Sequence, residues 1–241
     1  MGRIIVINDI NKDISARKAT AGPELDLVNN FIDYKMECFS KTKNTDLKLA
    51  IFCEPQIDNA FPDIIFAEFN EMNFKNWNQH RKNITNQDLK ILYHLYYSKG
   101  LASEDIIKQL GVSYAILLKS IERLIDCKFI ARIDGLWCIN SEENCFSVTK
   151  IETIEAKINQ WDIALKQALN NVRFSSESYV LSELMTKPTA NTMEKFANYG
   201  IGVYLKNPSG IRRIHKAKHS SIPNSYTSLL IGEVIGRTLN Y

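Results

Sequence analysis

Residues Val148 to Leu181 read VTKIETIEAKINQWDIALKQALNNVRFSSESYVL, and this stretch decides the fold. It opens as a strand, passes through an amphipathic helix from about Trp161 to Val172 and returns as a strand at Ser178-Tyr179-Val180-Leu181. Glu155-Ala156-Lys157 stands at the end of the first strand. Residues two apart in a strand share a face, so Glu155 and Lys157 are expected to project together as an acid beside an amine. On the helix, Trp161, Ala164, Leu165 and Ala168 form one stripe, and its small alanines let the helix lie close to a sheet.

An acid-x-lysine triplet alone most often means a surface ion pair of little worth. Here it sits within strand, E-x-K, W-x-x-A-L-x-Q-A helix and returning strand, and that combination resembles the PD-(D/E)xK phosphodiesterase superfamily. The resemblance implies an α/β fold with a restriction-endonuclease-like mixed sheet flanked by helices. It directs attention upstream, where Phe61-Pro62-Asp63-Ile64-Ile65-Phe66 reads as a strand entered through Pro62-Asp63, similar to the "PD" half of the signature. A polar Asp63 among apolar neighbours is costly to bury without a metal or partner, although a turn aspartate at a hairpin mouth is the plainer reading.

The sequence between Asp63 and Glu155 is far longer than this resemblance leads one to expect, and its pattern explains the excess. Helices are expected over Asn86 to Tyr96 with Asn86 as N-cap, over Ser103 to Leu110 capped by Ser103, and from Ser113 to about Cys127. Two short strands, Phe129 to Ile133 and Leu136 to Ile139, flank Asp134-Gly135, a strong hairpin turn. Three helices and a two-stranded wing describe a winged helix-turn-helix. The resulting organisation is a nuclease-like core over 1–79 and 142–241 with a winged helix-turn-helix inserted at 80–141.

Such modules often read DNA, but the outward positions of the third helix are Tyr114, Ile116, Leu118 and Ile125, with Lys119 and Arg123 its only basic residues. That surface suits packing against protein better than a groove, while Lys119 and Arg123 remain candidate phosphate contacts. The densest basic cluster lies elsewhere, at Arg212, Arg213, His215, Lys216, Lys218 and His219. Arg212, Arg213, Lys216 and Lys218 are candidates for nucleic-acid phosphates; a solvated basic edge strand that blocks aggregation is the alternative.

The rest of the chain fits around this frame. Arg3 to Ile7 reads as an edge strand, and a polar segment follows to Ala21. Pro23 starts a helix to about Phe39 with an apolar stripe of Leu25, Val28, Phe31, Ile32, Tyr34 and Met36. Asp46 to Glu54 is a strand. After Leu184 a helix is expected from Lys187 to Tyr199 with Gly200 as its stop, then strands at Ile201 to Leu205 and Ile211 to His215, and a last helix from Ser225 to Leu239.

The resemblance implies a Mg²⁺ (or Mn²⁺) site held by Asp63, Glu155 and the carbonyl of Ala156, with Lys157 orienting water and stabilising developing charge. It also implies a further acid on the first helix, Glu24, which equally suits the helix dipole. Gln167, on the helix facing the site, resembles a glutamine that some members place near the metal; a surface position is the alternative. The expected function is a metal-dependent DNA nuclease, an endo- or exodeoxyribonuclease in defence or mobile-element biology. A non-cleaving DNA- or protein-binding regulator is the alternative. Partners implied are DNA, a second copy in a homodimer, or a larger nuclease or transposition complex.

Composition is compatible with this. Of 241 residues, 45% are hydrophobic and 24% charged, as in ordinary globular proteins, and a net charge of +3 permits a nucleic-acid partner. Five cysteines without a C-x-x-C spacing argue against a zinc or disulfide framework and fit a reducing, cytoplasmic setting. No stretch approaches a membrane span in length, and the apolar start, Arg3 to Ile7, is too short for a signal peptide. The chain carries no Walker A loop, G-x-G-x-x-G turn or G-x-S-x-G elbow.

Overall fold

The computed structural model describes residues 3–7, 14, 22–44, 46–57, 60–158, 160–183, 188–221 and 225–239. In chain order the first elements are β1 (Ile4–Ile7), α1 (Pro23–Ser40), β2 (Leu47–Cys53) and β3 (Ile64–Asn70). Then come α2 (Asn86–Ser98), α3 (Ser103–Leu110), α4 (Tyr114–Asp126), β4 (Ile130–Ile133), β5 (Leu136–Ile139) and α5 (Glu142–Cys145). The chain continues through β6 (Val148–Ala156), α6 (Trp161–Asn171), β7 (Glu177–Glu183), α7 (Ala190–Asn198), β8 (Gly202–Asn207), β9 (Gly210–His215) and α8 (Tyr226–Thr238). Short 3₁₀ turns occupy Glu71–Phe74 and Gln79–Asn83. The structure is α/β, with a mixed seven-stranded sheet in the order β1-β2-β3-β6-β7-β8-β9 and helices flanking it.

The chain divides into two compact units, Met1–Phe69 with Thr149–Pro223, and Asn70–Val148 with Asn224–Tyr241. Residues 142–148 and the C-terminal helix α8, expected in the core, belong instead with the residues that follow β3. Parts of the sequence reading, the polar stretches 8–13 and 15–21 and the residues Leu184 and Lys187, lie outside the described residues.

In the first unit, β6, β7 and β8 run parallel, joined by α6 and α7 as crossovers, and β9 turns back antiparallel to β8. The expected edge strand is β1, parallel to β2. Strand alternation sorts the side chains into two layers. On one face Leu27, Val28 and Phe31 of α1 pack against Ile51, Phe66, Ile154, Ala156, Tyr179, Leu181 and Tyr204. On the other, Ala164, Leu165 and Ala168 of α6 meet Val180, Val203 and Phe196. Each large apolar side chain so buried contributes about 1.5–3 kcal/mol. Gly202 is required by this packing: a Cβ there would fall 2.1 Å from Cε1 of Tyr179, its register partner across the strands.

In the second unit the N-cap of α2 lies one residue earlier than expected. Thr85 is the N-cap, and Thr85 and Asp88 satisfy each other's main-chain N–H groups in a capping box, so Asn86 is the first helical residue instead. Likewise Ala102 precedes α3, and the Ser103 hydroxyl accepts a hydrogen bond from Trp137 Nε1 at 3.0 Å rather than capping. Ser113 does cap α4. The turn Asp134-Gly135 has both φ angles positive, as a two-residue hairpin of this kind needs, and Leu101 and Trp137 exchange main-chain hydrogen bonds that hold the hairpin to the turn before α3. Helix α8 is tied in by a buried ion pair between Arg81 and Glu233 and by Arg237, which donates to the carbonyl of Ile84 at 2.7 Å.

Removing one partner of a buried ion pair leaves the other charge uncompensated, whereas replacing both with apolar groups spares that cost. Glu233→Leu is therefore expected to destabilise the protein by about 3–5 kcal/mol, and Arg81→Met with Glu233→Leu together to recover most of it. Urea denaturation of the single and double variants reads this directly; equal losses in both would refute it.

Candidate functional site

Three strand ends meet where the E-x-K triplet leaves the sheet. Asp63, the residue before β3, donates its main-chain N–H to the carbonyl of Ile154 in β6 at 3.1 Å and accepts with its own carbonyl from the N–H of Glu54, just past β2, at 2.8 Å. Its side chain reinforces the join: Oδ2 accepts from the N–H of Ala156 at 2.7 Å. Pairing with β7 continues one residue beyond β6, where the Lys157 N–H donates to the carbonyl of Leu181. The Lys157 ammonium lies 3.0 Å from Oε2 of Glu24, in the first turn of α1, and both side chains remain partly open to solvent. Asp63, Lys157 and Glu24, three of the residues singled out from the sequence, thus converge on one end of the sheet.

The electrostatics of this corner are unbalanced. Burial pushes the Asp63 carboxyl above the usual carboxylate range; the Ala156 N–H and the Lys157 ammonium pull it back, while the nearby charges of Glu54 and Glu24 push it up again. Glu54 was not singled out from the sequence. It sits at a strand end with φ of 47°, a left-handed conformation uncommon for a residue with a Cβ, beside Asp63 in space but not in sequence. Among the described residues, the charges that act on the Asp63 carboxyl are two other carboxylates and one ammonium.

Glu155 and Lys157 were expected as side-by-side groups, and the structure gives them different partners. Ile154 and Ala156 belong to the α1 face. Glu155 faces α6, is 1% exposed, and Oε1 accepts from Asn171 Nδ2 at 2.7 Å. Asn171 was not anticipated, because an asparagine near a helix end carries no sequence signal of burial. Gln167 lies one helical turn before it and is half-buried; its Oε1 has no hydrogen-bond partner among the described residues. No group of three or more His, Cys, Asp or Glu side chains among the described residues is arranged to hold a metal. The expected donor set differs in kind: two carboxylates, Asp63 and Glu155, and the carbonyl of Ala156. Their hard oxygens and the excess of negative charge around Asp63 are the chemistry a small divalent cation requires.

The basic candidates divide. Arg212, Lys216 and Lys218 are exposed along and beyond the edge strand β9. Arg213, also exposed, is the register partner of Tyr204 across the strands. Lys119 is exposed on α4. Arg123 requires correction: Nε and Nη2 both donate to the Asp88 carboxylate at 2.7 Å, so its guanidinium serves the helix packing of the second unit and is not available to a phosphate. On α4, Tyr114, Ile116, Leu118 and Ile125 are exposed as expected, Tyr114 at 66% and Leu118 at 57%. His219 Nδ1 lies 3.2 Å from Oε1 of Glu177.

An acid whose folded pKa is raised contributes stability below its ordinary range that is lost as pH rises through the raised value. Asp63→Asn keeps an oxygen for the Ala156 N–H and removes the charge. In metal-free buffer it is expected to melt at the same temperature as wild type or a few °C higher at pH 8, with the difference vanishing near pH 4. Melting scans across pH check this, and a variant less stable at pH 8 than at pH 4 relative to wild type would contradict it. Comparison of the chain with protein-family models, with curated proteins and with solved structures finds no match.

Proposed function

We propose that the first unit is a divalent-metal-dependent nuclease core of restriction-endonuclease-like type, acting on DNA. We read α2, α3, α4 and the β4–β5 hairpin as a winged helix-turn-helix inserted between its halves. The observation that carries the reading is the hydrogen bond from Ala156 N–H to Asp63 Oδ2, which joins residues 93 positions apart and brings the Pro62-Asp63 and Glu155-Ala156-Lys157 segments together. The Lys157 ammonium of the second segment meets Glu24 of α1 at the same strand ends, which supports the reading.

In this reading Asp63, Glu155 and the Ala156 carbonyl hold Mg²⁺ or Mn²⁺, which when bound polarises the scissile phosphate and acidifies a water. Lys157 sits at the same strand end. Its ammonium, held by Glu24, orients the attacking water and meets the negative charge that grows on the phosphate oxygens. Glu24 keeps that ammonium aimed at the corner and positions it without touching substrate. Asn171 fixes the rotamer of Glu155 from the α6 side. The exposed Arg212, Lys216 and Lys218 supply sequence-independent contacts to backbone phosphates. The apolar surface of α4 suits a protein partner, a second copy or a larger complex, better than a DNA groove.

A second reading, a non-cleaving regulator or complex subunit, draws on the near-complete burial of Glu155 and its engagement by Asn171. Incubation of supercoiled, linear and single-stranded DNA with Mg²⁺ or Mn²⁺ separates the two. Cleavage by wild type is expected, falling by about 100-fold or more in Asp63→Ala and in Lys157→Ala. Intact substrates with wild type, or variants that cut as fast as wild type, would reject the nuclease reading.

A further inference from the structure

A cavity of about 340 Å³ in the second unit has an unusual lining: Lys75, Asn76, Trp77, Asn78, Arg81, Cys127, Lys128 and Asn144. Three of these side chains are cationic and none is a carboxylate. Arg81 forms part of the wall at 3% exposure, its guanidinium stacked 3.9 Å from the Trp77 ring centroid and 4.4 Å from that of Phe129, with its charge met by Glu233. The Cys127 thiol is pushed up to about 12, first by burial and then by the charge of Glu233, so it stays protonated and adds no negative charge.

The hydrogen-bonding groups left over around the cavity are mostly donors. Neither Lys75 nor Lys128 has an ion-pair partner among the described residues, and Trp77 Nε1 is buried without an acceptor there. The Asn76 amide nitrogen donates to Asn144 Oδ1, leaving the Asn76 oxygen and the Asn144 nitrogen. Carbonyls at the end of α4, which would repel an anion, are already taken: Asn78 donates to that of Asp126 and Asn140 to that of Lys128. Two ammonium groups without an ion-pair partner at the wall of a partly enclosed space call for an anion with several acceptor oxygens. The volume lies at the lower end of the roughly 300–1,000 Å³ typical of small-ligand pockets and is large for a bare oxyanion. The free amide donor and acceptor add the complementarity a sugar or base edge offers.

We propose that this cavity binds a phosphomonoester of nucleotide size, its phosphate between Lys75 and Lys128. The phosphate belongs to a free nucleotide or to the 5′-phosphorylated end of a nucleic-acid strand. The site is independent of the metal-dependent chemistry proposed above, and its test is run in EDTA, so that failure of one leaves the other standing.

Calorimetric titration of the whole chain with AMP, with a 5′-phosphorylated trinucleotide, and with adenosine and the unphosphorylated trinucleotide as controls decides it. Binding of at least one phosphorylated probe below millimolar Kd is expected, with none for the controls, competition by inorganic phosphate, and weakening by roughly 10- to 100-fold in Lys75→Gln with Lys128→Gln. Both lysines are exposed, so the double variant is expected to keep its melting temperature. A trinucleotide binding at least tenfold tighter than AMP identifies the strand end, and equal binding identifies the free nucleotide; both uphold the site. Absence of binding by both phosphorylated probes at millimolar concentration, or unchanged binding in the double variant, overturns it.

Discussion

The hydrogen bond between the Ala156 N–H and the Asp63 carboxylate fixes the register of β3 against β6, on which the site depends. A one-residue slip of β3 against β6 would exchange the faces of every side chain on the slipped strand. Asp63 guards against that slip twice, with its main chain on Ile154 and its side chain on Ala156. The same register keeps Ile64, Phe66, Ile154 and Ala156 under α1, and thereby holds Glu24 where it meets Lys157. A carboxylate in a poorly solvated corner is an expensive way to pin a register. An apolar or hydroxyl side chain would serve packing at lower cost, and the cost is the physical reason to look for a role beyond packing.

The two faces of the sheet divide the work. The α1 face joins apolar packing to a second charged group, in which Lys150 reaches Glu152 and Glu177 at 3.4 and 3.0 Å and Lys35 reaches Glu152 at 2.6 Å. There Lys35 and Lys150 face three carboxylates, Glu68, Glu152 and Glu177; burial holds Glu68 above the usual carboxylate range, while Lys150 holds Glu177 below it against the opposing effect of burial. At the Asp63 corner acids outnumber the amine, and the carboxyl is held up rather than down.

Much of the architecture was legible in the sequence because it rests on local periodicity. The strand–helix–strand run from Val148, the Asp134-Gly135 turn and the helices α2, α3 and α4 are all patterns of a few residues. So was the convergence of Asp63 with Lys157, although only through resemblance. What could not be read depends on contacts between distant residues. Arg123 looked like a free cation because Asp88, its partner, lies 35 residues away on another helix. Asp88 also completes the capping box with Thr85, which makes Thr85 the N-cap in place of Asn86. Asn171 and Glu54 are polar residues of types found on most surfaces, and only the fold turns one onto Glu155 and brings the other beside Asp63. The pairing of α8 with the second unit rests on Arg81 and Glu233, 152 residues apart, which no window of sequence can connect.

The central claim is that the Asp63 corner takes up a divalent cation. Electron paramagnetic resonance of Mn²⁺ titrated into the protein counts bound ions without requiring substrate or turnover. One tightly bound Mn²⁺ per chain, displaced by excess Mg²⁺ and lost in both Asp63→Ala and Glu155→Gln, is the predicted result. Mn²⁺ that stays free beside wild type, or binds equally to Asp63→Ala, would contradict it.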